Sequence, residues 1–303
     1  MKIGFIGLGN VGQSLAANLA RAGHELTVND LDRSRGELLL DLGADWGAAP
    51  ADCADGAELL ITSLPSPAAS RAVMEGEGGL LDILAPGSTW IEMSTTDADE
   101  VKRLGATAAE RGIGILEAPI TGGCHRAKSG DISILVGGDE DLFERFKPII
   151  QVMGVEVLHM GPLGAASVVK VITNLLAFIH LVGVGEGLML AAKAGVDLGK
   201  AFEGIRASSG NSFVHETESQ VILSGTYNIG FTMDLACKDL GLAQKLASEF
   251  GVPLDLGERT AEIFDVGRET YGDRAWSTEI VRLLEEKAGK DLRAPGFPDE
   301  LEA

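Results

Sequence analysis

The chain is poor in the residues that build metal centres and disulfide frameworks. Its 3 cysteines, Cys53, Cys124 and Cys237, are far apart and form no C-x-x-C pair, so neither a zinc site nor a disulfide scaffold is expected. The 5 histidines (His24, His125, His159, His180, His215) show no metal-ligand spacing, and no metal is expected. Positive charge is scarce as well: 25 Lys and Arg stand against 45 Asp and Glu, a net charge of −20. That balance argues against nucleic acid and against an anionic membrane surface as partners. No Gly/Ser-rich or Pro-rich run lies near Lys170, and no repeat or low-complexity block is visible. The most apolar stretch, Val171 to Gly185, contains Thr173, Asn174 and His180 and is flanked by Lys170 and Glu186. It reads as too short and too interrupted to span a bilayer, and as a buried helix instead. The N-terminus enters a strand at once, which leaves no room for a signal peptide, so a cytoplasmic location is expected.

What is present is concentrated at the start. In MKIGFIGLGNVGQSLAANLARAGHELTVND, an apolar run from Ile3 to Ile6 leads into Gly7-Leu8-Gly9-Asn10-Val11-Gly12. A helical Ala/Leu-rich stretch follows, then a second apolar run ending at Asp30. This is strand, phosphate turn, helix, strand and acid, the context that turns a bare G-x-G-x-x-G into a dinucleotide site. Gly7 allows the tight turn, Gly9 lets the backbone approach a pyrophosphate, and Gly12 lets the helix pack close to the sheet. The helix from about Val11 offers free N–H groups and its positive dipole end to the phosphates.

Further strand-like runs (Leu26–Val28, Leu59–Thr62, Thr89–Glu92, Ile113–Leu116, Ile132–Val136, Glu156–Leu158) alternate with Ala-rich helical segments. That alternation predicts an α/β Rossmann-type, doubly wound, mostly parallel sheet. From about Ala165 no convincing strand remains, and an all-helical C-terminal domain is expected. The length suits about two domains: a nucleotide-binding domain over 1–163 and a helical domain over 164–303, the boundary carried by the helix through Lys170.

Asp30 closes the second strand. A carboxylate there accepts hydrogen bonds from the adenosine ribose hydroxyls and repels a 2′-phosphate, which favours NAD over NADP. Arg33 and Arg35 pull the other way, although the position next to the strand is Leu31. Two later turns face the cofactor end of such a sheet: Ser63-Leu64-Pro65-Ser66-Pro67 and Met93-Ser94-Thr95-Thr96-Asp97. In the second, Thr96 or Asp97 also suits a helix N-cap, and both readings hold together.

Three segments suit a substrate site. In Glu117-Ala118-Pro119-Ile120-Thr121-Gly122-Gly123, a hydroxyl and two exposed glycine N–H groups match a carboxylate, as an anion-holding nest would, although a plain Gly-Gly turn reads equally well. In Gly161-Pro-Leu-Gly-Ala-Ala-Ser-Val-Val-Lys170-Val-Ile-Thr-Asn174, Lys170 and Asn174 share one helix face. Burial among apolar residues favours a neutral amine that can exchange protons; a snorkelling lysine is the alternative. In Phe231-Thr-Met-Asp234-Leu-Ala-Cys-Lys238-Asp239, Lys238 either reaches the cofactor or forms an i,i+4 pair with Asp234, and spacing alone favours the pair.

Taken together and in order, GFIGLGNVGQSLAANLARAG, EAPITGG, GPLGAASVVKVITN and FTMDLACKDLGLA resemble the cofactor, substrate, catalytic and cofactor-proximal motifs of the β-hydroxyacid dehydrogenases, the group of 3-hydroxyisobutyrate dehydrogenase and tartronate semialdehyde reductase. The match runs over nearly the full length. The resemblance implies reversible NAD-dependent oxidation of a small 3-hydroxy acid. It places Lys170 as general acid/base and Asn174 as the residue orienting the substrate. Thr121, Gly122 and Gly123 would hold the carboxylate, Asp239 would lie near the site, and Lys238, Leu64, Pro65 and Thr95 would line the cofactor. It also implies a homo-oligomer, dimer or tetramer. The chain departs from the usual pattern at Glu117, where Asp is commoner, at Cys124-His125-Arg126-Ala127 after the Gly-Gly pair, and at Gly164. His125 and Arg126 would alter acid specificity, contact a second anionic group, or point to solvent. The rival readings are an imine reductase-like NADPH enzyme, whose relatives usually lack the lysine, and a catalytically silent nucleotide-binding module.

Overall fold

Each apolar run of the first half becomes a strand, and each Ala-rich segment a helix laid against it. The computed structural model describes residues 1–301. Its first half contains β1 (Lys2–Ile6), α1 (Gly12–Arg21), β2 (Glu25–Asn29), α2 (Glu37–Asp41), β3 (Asp45–Trp46), α3 (Pro50–Ala54), β4 (Leu59–Thr62) and α4 (Pro67–Glu75). There follow β5 (Thr89–Glu92), α5 (Ala98–Glu110), β6 (Gly114–Glu117), β7 (Ile120–Thr121), α6 (Gly123–Ser129), β8 (Ser133–Gly138), α7 (Glu140–Met153) and β9 (Glu156–Gly161). The chain separates into two compact units, Met1–Lys170 and a second from Val171 onward.

In the first unit the strands form one sheet in the order β3-β2-β1-β4-β5-β6-β8-β7, with β9 also paired to β8. Pairing is parallel from β3 through β6 and between β8 and β9, and antiparallel where β8 meets β6 and β7. The order runs outward in both directions from β1 and β4, so the switch point lies at the carboxyl ends of those two strands, where ligands of such sheets bind. Strand alternation sends Ile3, Phe5, Leu59 and Ile61 to one face, and Ile6, Leu60 and Trp90 to the other. On the first face α1 buries Leu15, Ala16 and Leu19 completely. Each such large side chain contributes about 1.5–3 kcal/mol relative to leaving it exposed. The sheet therefore holds α1, and with it the Gly-rich turn, from below.

The second half begins with α8 (Ala165–Lys193), followed by α9 (Leu198–Arg206), α10 (Phe213–Ser224), α11 (Met233–Phe250), α12 (Asp255–Tyr271) and α13 (Ile280–Ala288). Among the described residues of the second unit, strand pairing amounts to one isolated bridge, Thr232 to Trp276. Phe178, Leu181, Leu188, Phe202, Leu240 and Phe264 form the centre of its core. The C-terminal segment is fastened by a polar cluster. Tyr227 donates its hydroxyl to Glu285 Oε2, and the Arg293 guanidinium donates to Tyr227 Oη at 2.7 Å and to Glu285 Oε1 at 2.9 Å. The Leu292 N–H adds a bond to the same carboxylate at 2.6 Å.

The expectation that the apolar stretch Val171–Gly185 is too short to span a bilayer and lies in a buried helix is corrected. Helix α8 runs for 29 residues because Gly183, Gly185 and Gly187 continue it rather than end it. By length and composition α8 would suffice to cross a bilayer, and only 28% of its most apolar window is buried within the chain. Ile172, Leu176, His180, Gly183, Glu186 and Leu190 form an exposed stripe at three- and four-residue spacing.

Candidate active site

The parallel strands deliver their carboxyl-end turns to one edge of the sheet. Gly7 follows β1 with φ +94°, and a Cβ there would lie 2.2 Å from the Ser63 carbonyl, so only glycine can turn between β1 and β4. Gly12 opens α1, where a Cβ would lie 2.1 Å from the Gly7 carbonyl. Gly9 between them meets no protein atom within 4 Å. A Cβ at Gly9 would fill only the space in front of the turn, which is the cradle a pyrophosphate needs. Leu8 is buried, Val11 caps α1 and Asn10 is exposed on the turn.

Asp30 stands just past β2 with its carboxylate turned to the Gly-rich turn. Its Oδ2 accepts from the Leu8 N–H at 2.6 Å and its Oδ1 from the Asp32 N–H at 2.9 Å. Leu31 is fully exposed beside it. Arg33 lies over the Trp46 ring with its guanidinium 5.4 Å from the centroid, and Arg35 points to the Leu8 carbonyl at 3.4 Å. Leu64, Pro65 and Thr95 sit on the turns after β4 and β5. These turns are tied together, since the Leu64 N–H donates to Ser94 Oγ at 2.8 Å and the Ser94 N–H to Glu92 Oε1 at 2.8 Å. Asp97 is the N-cap of α5, accepting from the Asp99 and Glu100 N–H groups, so the capping reading of that turn holds.

Thr121 ends β7, and Gly122 and Gly123 follow with φ +123° and +87°. His125 and Arg126 fold back towards the Gly-Gly turn. A Cβ on Gly123 would lie 2.9 Å from His125 Cε1, and one on Gly122 would lie 3.2 Å from Arg126 Cδ. Burial and the neighbouring Arg126 charge hold the His125 imidazole below its ordinary pKa. Cys124 beside them has its thiol pushed up by burial, the reverse of an activated nucleophile.

Lys170 is buried, 7% exposed, on an apolar helix. Asn174 follows one turn later on the same helix face. In the second unit Asn174 donates its amide to Asp239 Oδ2 at 2.6 Å, and the Lys238 ammonium lies 3.0 Å from Asp239 Oδ1. Asp239 itself is 1% exposed. The Asn174, Lys238 and Asp239 trio is therefore one cluster, and Lys238 pairs with its neighbour. Asp234 serves the N-terminus of α11, receiving the Thr232 hydroxyl and the Leu235 N–H.

Sequence reasoning missed two residues. Ser94 links the two cofactor-side turns, and its place in a flagged turn was the only signal. Glu117, to which the sequence assigns no role, is fully buried and holds the start of α8.

A Rossmann-type sheet with an intact dinucleotide turn, a buried lysine at the end of the same unit and a helical unit after it are the build of a NAD(P)-dependent dehydrogenase. Residues 2–161 match the family model described as the NAD binding domain of 6-phosphogluconate dehydrogenase. Residues 164–284 match the one described as NAD-binding of NADP-dependent 3-hydroxyisobutyrate dehydrogenase. The chain is 33% identical over 290 residues to 2-(hydroxymethyl)glutarate dehydrogenase of Eubacterium barkeri, covering 95% of this chain and 96% of that one. It is 32% identical to the NAD-dependent L-serine dehydrogenase of Pseudomonas aeruginosa, over 95% of this chain and 99% of that one. Among solved structures, 3-hydroxyisobutyrate dehydrogenase of Mycobacterium tuberculosis with L-serine superposes with a TM-score of 0.82 at 26% identity, covering 93% of this chain and 98% of that one. The chain belongs to the β-hydroxyacid dehydrogenase family. It is an oxidoreductase acting on CH–OH donors.

Proposed function

We propose that this enzyme reversibly oxidises a small 3-hydroxy acid with NAD, and that Lys170 is its general acid/base. The observation that carries the reading is Lys170 itself, 7% exposed on an apolar helix, in a chain whose phosphate turn is complete. In the oxidative direction the neutral Lys170 amine takes the substrate hydroxyl proton. In the reductive direction its ammonium returns that proton and stabilises the developing alkoxide. NAD, when bound, supplies the hydride acceptor. Thr121 and the N–H groups of Gly122 and Gly123 hold the substrate carboxylate, Asn174 orients the substrate, and Asp239 fixes the Asn174 amide. Leu64, Pro65, Thr95 and Lys238 line the cofactor.

Asp30 and the absence of a basic residue at Leu31 support NAD over NADP. The relatives' names support a substrate class as well. 2-(Hydroxymethyl)glutarate, serine and 3-hydroxyisobutyrate all carry a hydroxymethyl group on the carbon next to a carboxylate. The substrate of this enzyme is of that kind. Residues 1–163 act as the cofactor domain and 164–303 as the substrate and oligomerisation domain. The exposed Ile172, Leu176 and Leu190 of α8 and the exposed Phe250, Val252 and Leu256 support a homo-oligomer, dimer or tetramer. A cytoplasmic protein without nucleic-acid or membrane partners fits the acidic composition.

The test is NAD+ reduction at 340 nm across 3-hydroxyisobutyrate, glycerate, serine, 3-hydroxypropionate and 4-hydroxybutyrate, repeated with NADP+. One acid turned over with NAD supports the reading. Lys170→Ala is expected to lower turnover by roughly 10²–10⁴-fold with NADH binding intact. Retention of most of kcat would remove Lys170 from this role.

A further inference from the structure

We propose that Glu117 is a positioning residue for the reaction: its buried carboxylate anchors the first turn of α8 and so sets where that helix presents Lys170. The inference rests on the reading of Lys170 as acid/base.

The first turn of any α-helix leaves N–H groups without intrahelical partners. A local Ser, Thr, Asp or Asn at the N-cap usually serves them. Here the residue before α8 is Gly164, in a left-handed conformation at φ +98° and with no side chain to offer. The cap arrives from the sheet instead. Glu117, last residue of β6, accepts the Gly164 N–H at 2.6 Å and the Ala166 N–H at 2.9 Å on Oε1. Its Oε2 accepts the Ser167 N–H at 3.1 Å and the Ser167 hydroxyl. Two donors on each oxygen use the acceptor capacity of a carboxylate in full. Because every donor lies at the start of one helix and the acceptor ends one strand, the four bonds fix the helix start against the sheet rather than merely satisfying it.

Two further facts point the same way. Ser167 precedes Lys170 by three residues, one helical turn, so a shift at the anchor is passed to the lysine through a single turn of backbone. Gly137, paired with Glu117 across β6 and β8, leaves the carboxylate its room, since a Cβ at Gly137 would lie 2.2 Å from Oε1. Burial pushes the Glu117 carboxyl up, and the Ser167, Ala166 and Gly164 donors pull it back. Those donors are matched to the charged form.

The experiment measures kcat, KM and NADH binding for Glu117→Gln, Glu117→Asp, Lys170→Ala and the double variant E117Q/K170A. Glu117→Gln replaces one acceptor oxygen by a donor that faces N–H groups. It is expected to lose roughly 10- to 100-fold in kcat, the scale of a small misplacement, while NADH affinity stays within about twofold. Glu117→Asp, an acid one methylene shorter, is expected to keep most of the activity that Gln loses. If Glu117 acts through Lys170, the double variant is no slower than Lys170→Ala alone. Losses that multiply, or a Glu117→Gln enzyme with wild-type kcat, overturn the proposal. Should Glu117→Gln fail to fold, Ser167→Ala weakens the same anchor and is expected to lower kcat a few-fold in the same non-additive way, while full additivity overturns it. Lys170→Ala separates the two levels: if it stays active, the underlying reading falls, whereas an inactive Lys170→Ala beside a fully active Glu117→Gln removes only the role of Glu117.

Discussion

Glu92 and Glu117 stand opposite each other at the ends of the adjacent parallel strands β5 and β6, both buried, and their surroundings treat them differently. Glu117 has donors on both oxygens, whereas Glu92 receives the Ser94 N–H on Oε1 and has no hydrogen-bond partner on Oε2. A buried carboxylate oxygen without a donor is expensive to keep charged. Burial therefore disfavours the charged form of Glu92, against the pull of the Ser94, Ser70 and Thr62 hydroxyls.

Burial raises the Glu92 carboxyl above its ordinary value of 4.5. For a raised carboxyl, the native state binds more protons than the unfolded chain between the two values. Stability is then fullest below 4.5 and falls as pH rises through the raised native value. Glu92→Gln keeps a neutral side chain and the acceptor used by Ser94. Its advantage over wild type in urea-unfolding midpoint is expected to grow from about pH 4 to about pH 8. Parallel curves over that range would show that Glu92 does not titrate between the two states.

The proposed preference for NAD rests on the Asp30 carboxylate and its apolar neighbour Leu31. Asp30→Ser combined with Leu31→Arg is expected to raise the KM for NAD+ and lower that for NADP+. Loss of hydrogen bonds to a charged group is worth about 1.5–3 kcal/mol, roughly ten- to a hundredfold. Initial rates with both nucleotides test this, and an unchanged NAD+ to NADP+ ratio would exclude Asp30 from the choice.

Asn174 and Asp239 are held together at 2.6 Å. Asn174→Ala and Asp239→Asn are each expected to lower kcat/KM for the hydroxy acid by at least tenfold. The double variant should be much less impaired than the product of the two losses, because each single change already breaks the pair. Independent, multiplying losses would mean that the two residues do not work as a unit.

The parts legible in the sequence are those whose partners are local. The Gly7 to Gly12 turn and Asp30 declare themselves by spacing, and the long parallel strands by apolar runs. The two-residue strands β3 and β7 are too short to show a period. The antiparallel setting of β8 is decided by its pairing with β6 and β7, and an apolar run reports a strand but not its direction. Gly183, Gly185 and Gly187 are poor helix formers, yet α8 runs through all three. The role of Glu117 is not legible locally because its donors lie 47 to 50 residues downstream.

The Tyr227–Glu285–Arg293 cluster gives the carboxyl-terminal segment the standing of a latch. Glu285 is 4% exposed and Arg293 is the cation that matches its charge. Trimming the chain before Arg293, by protease or by design, would leave that carboxylate without its cation, at a cost moderated by the 40% exposure of the Arg293 side chain. A shortened enzyme would therefore melt early while its dinucleotide turn, built from the opposite end of the chain, remained chemically unaltered.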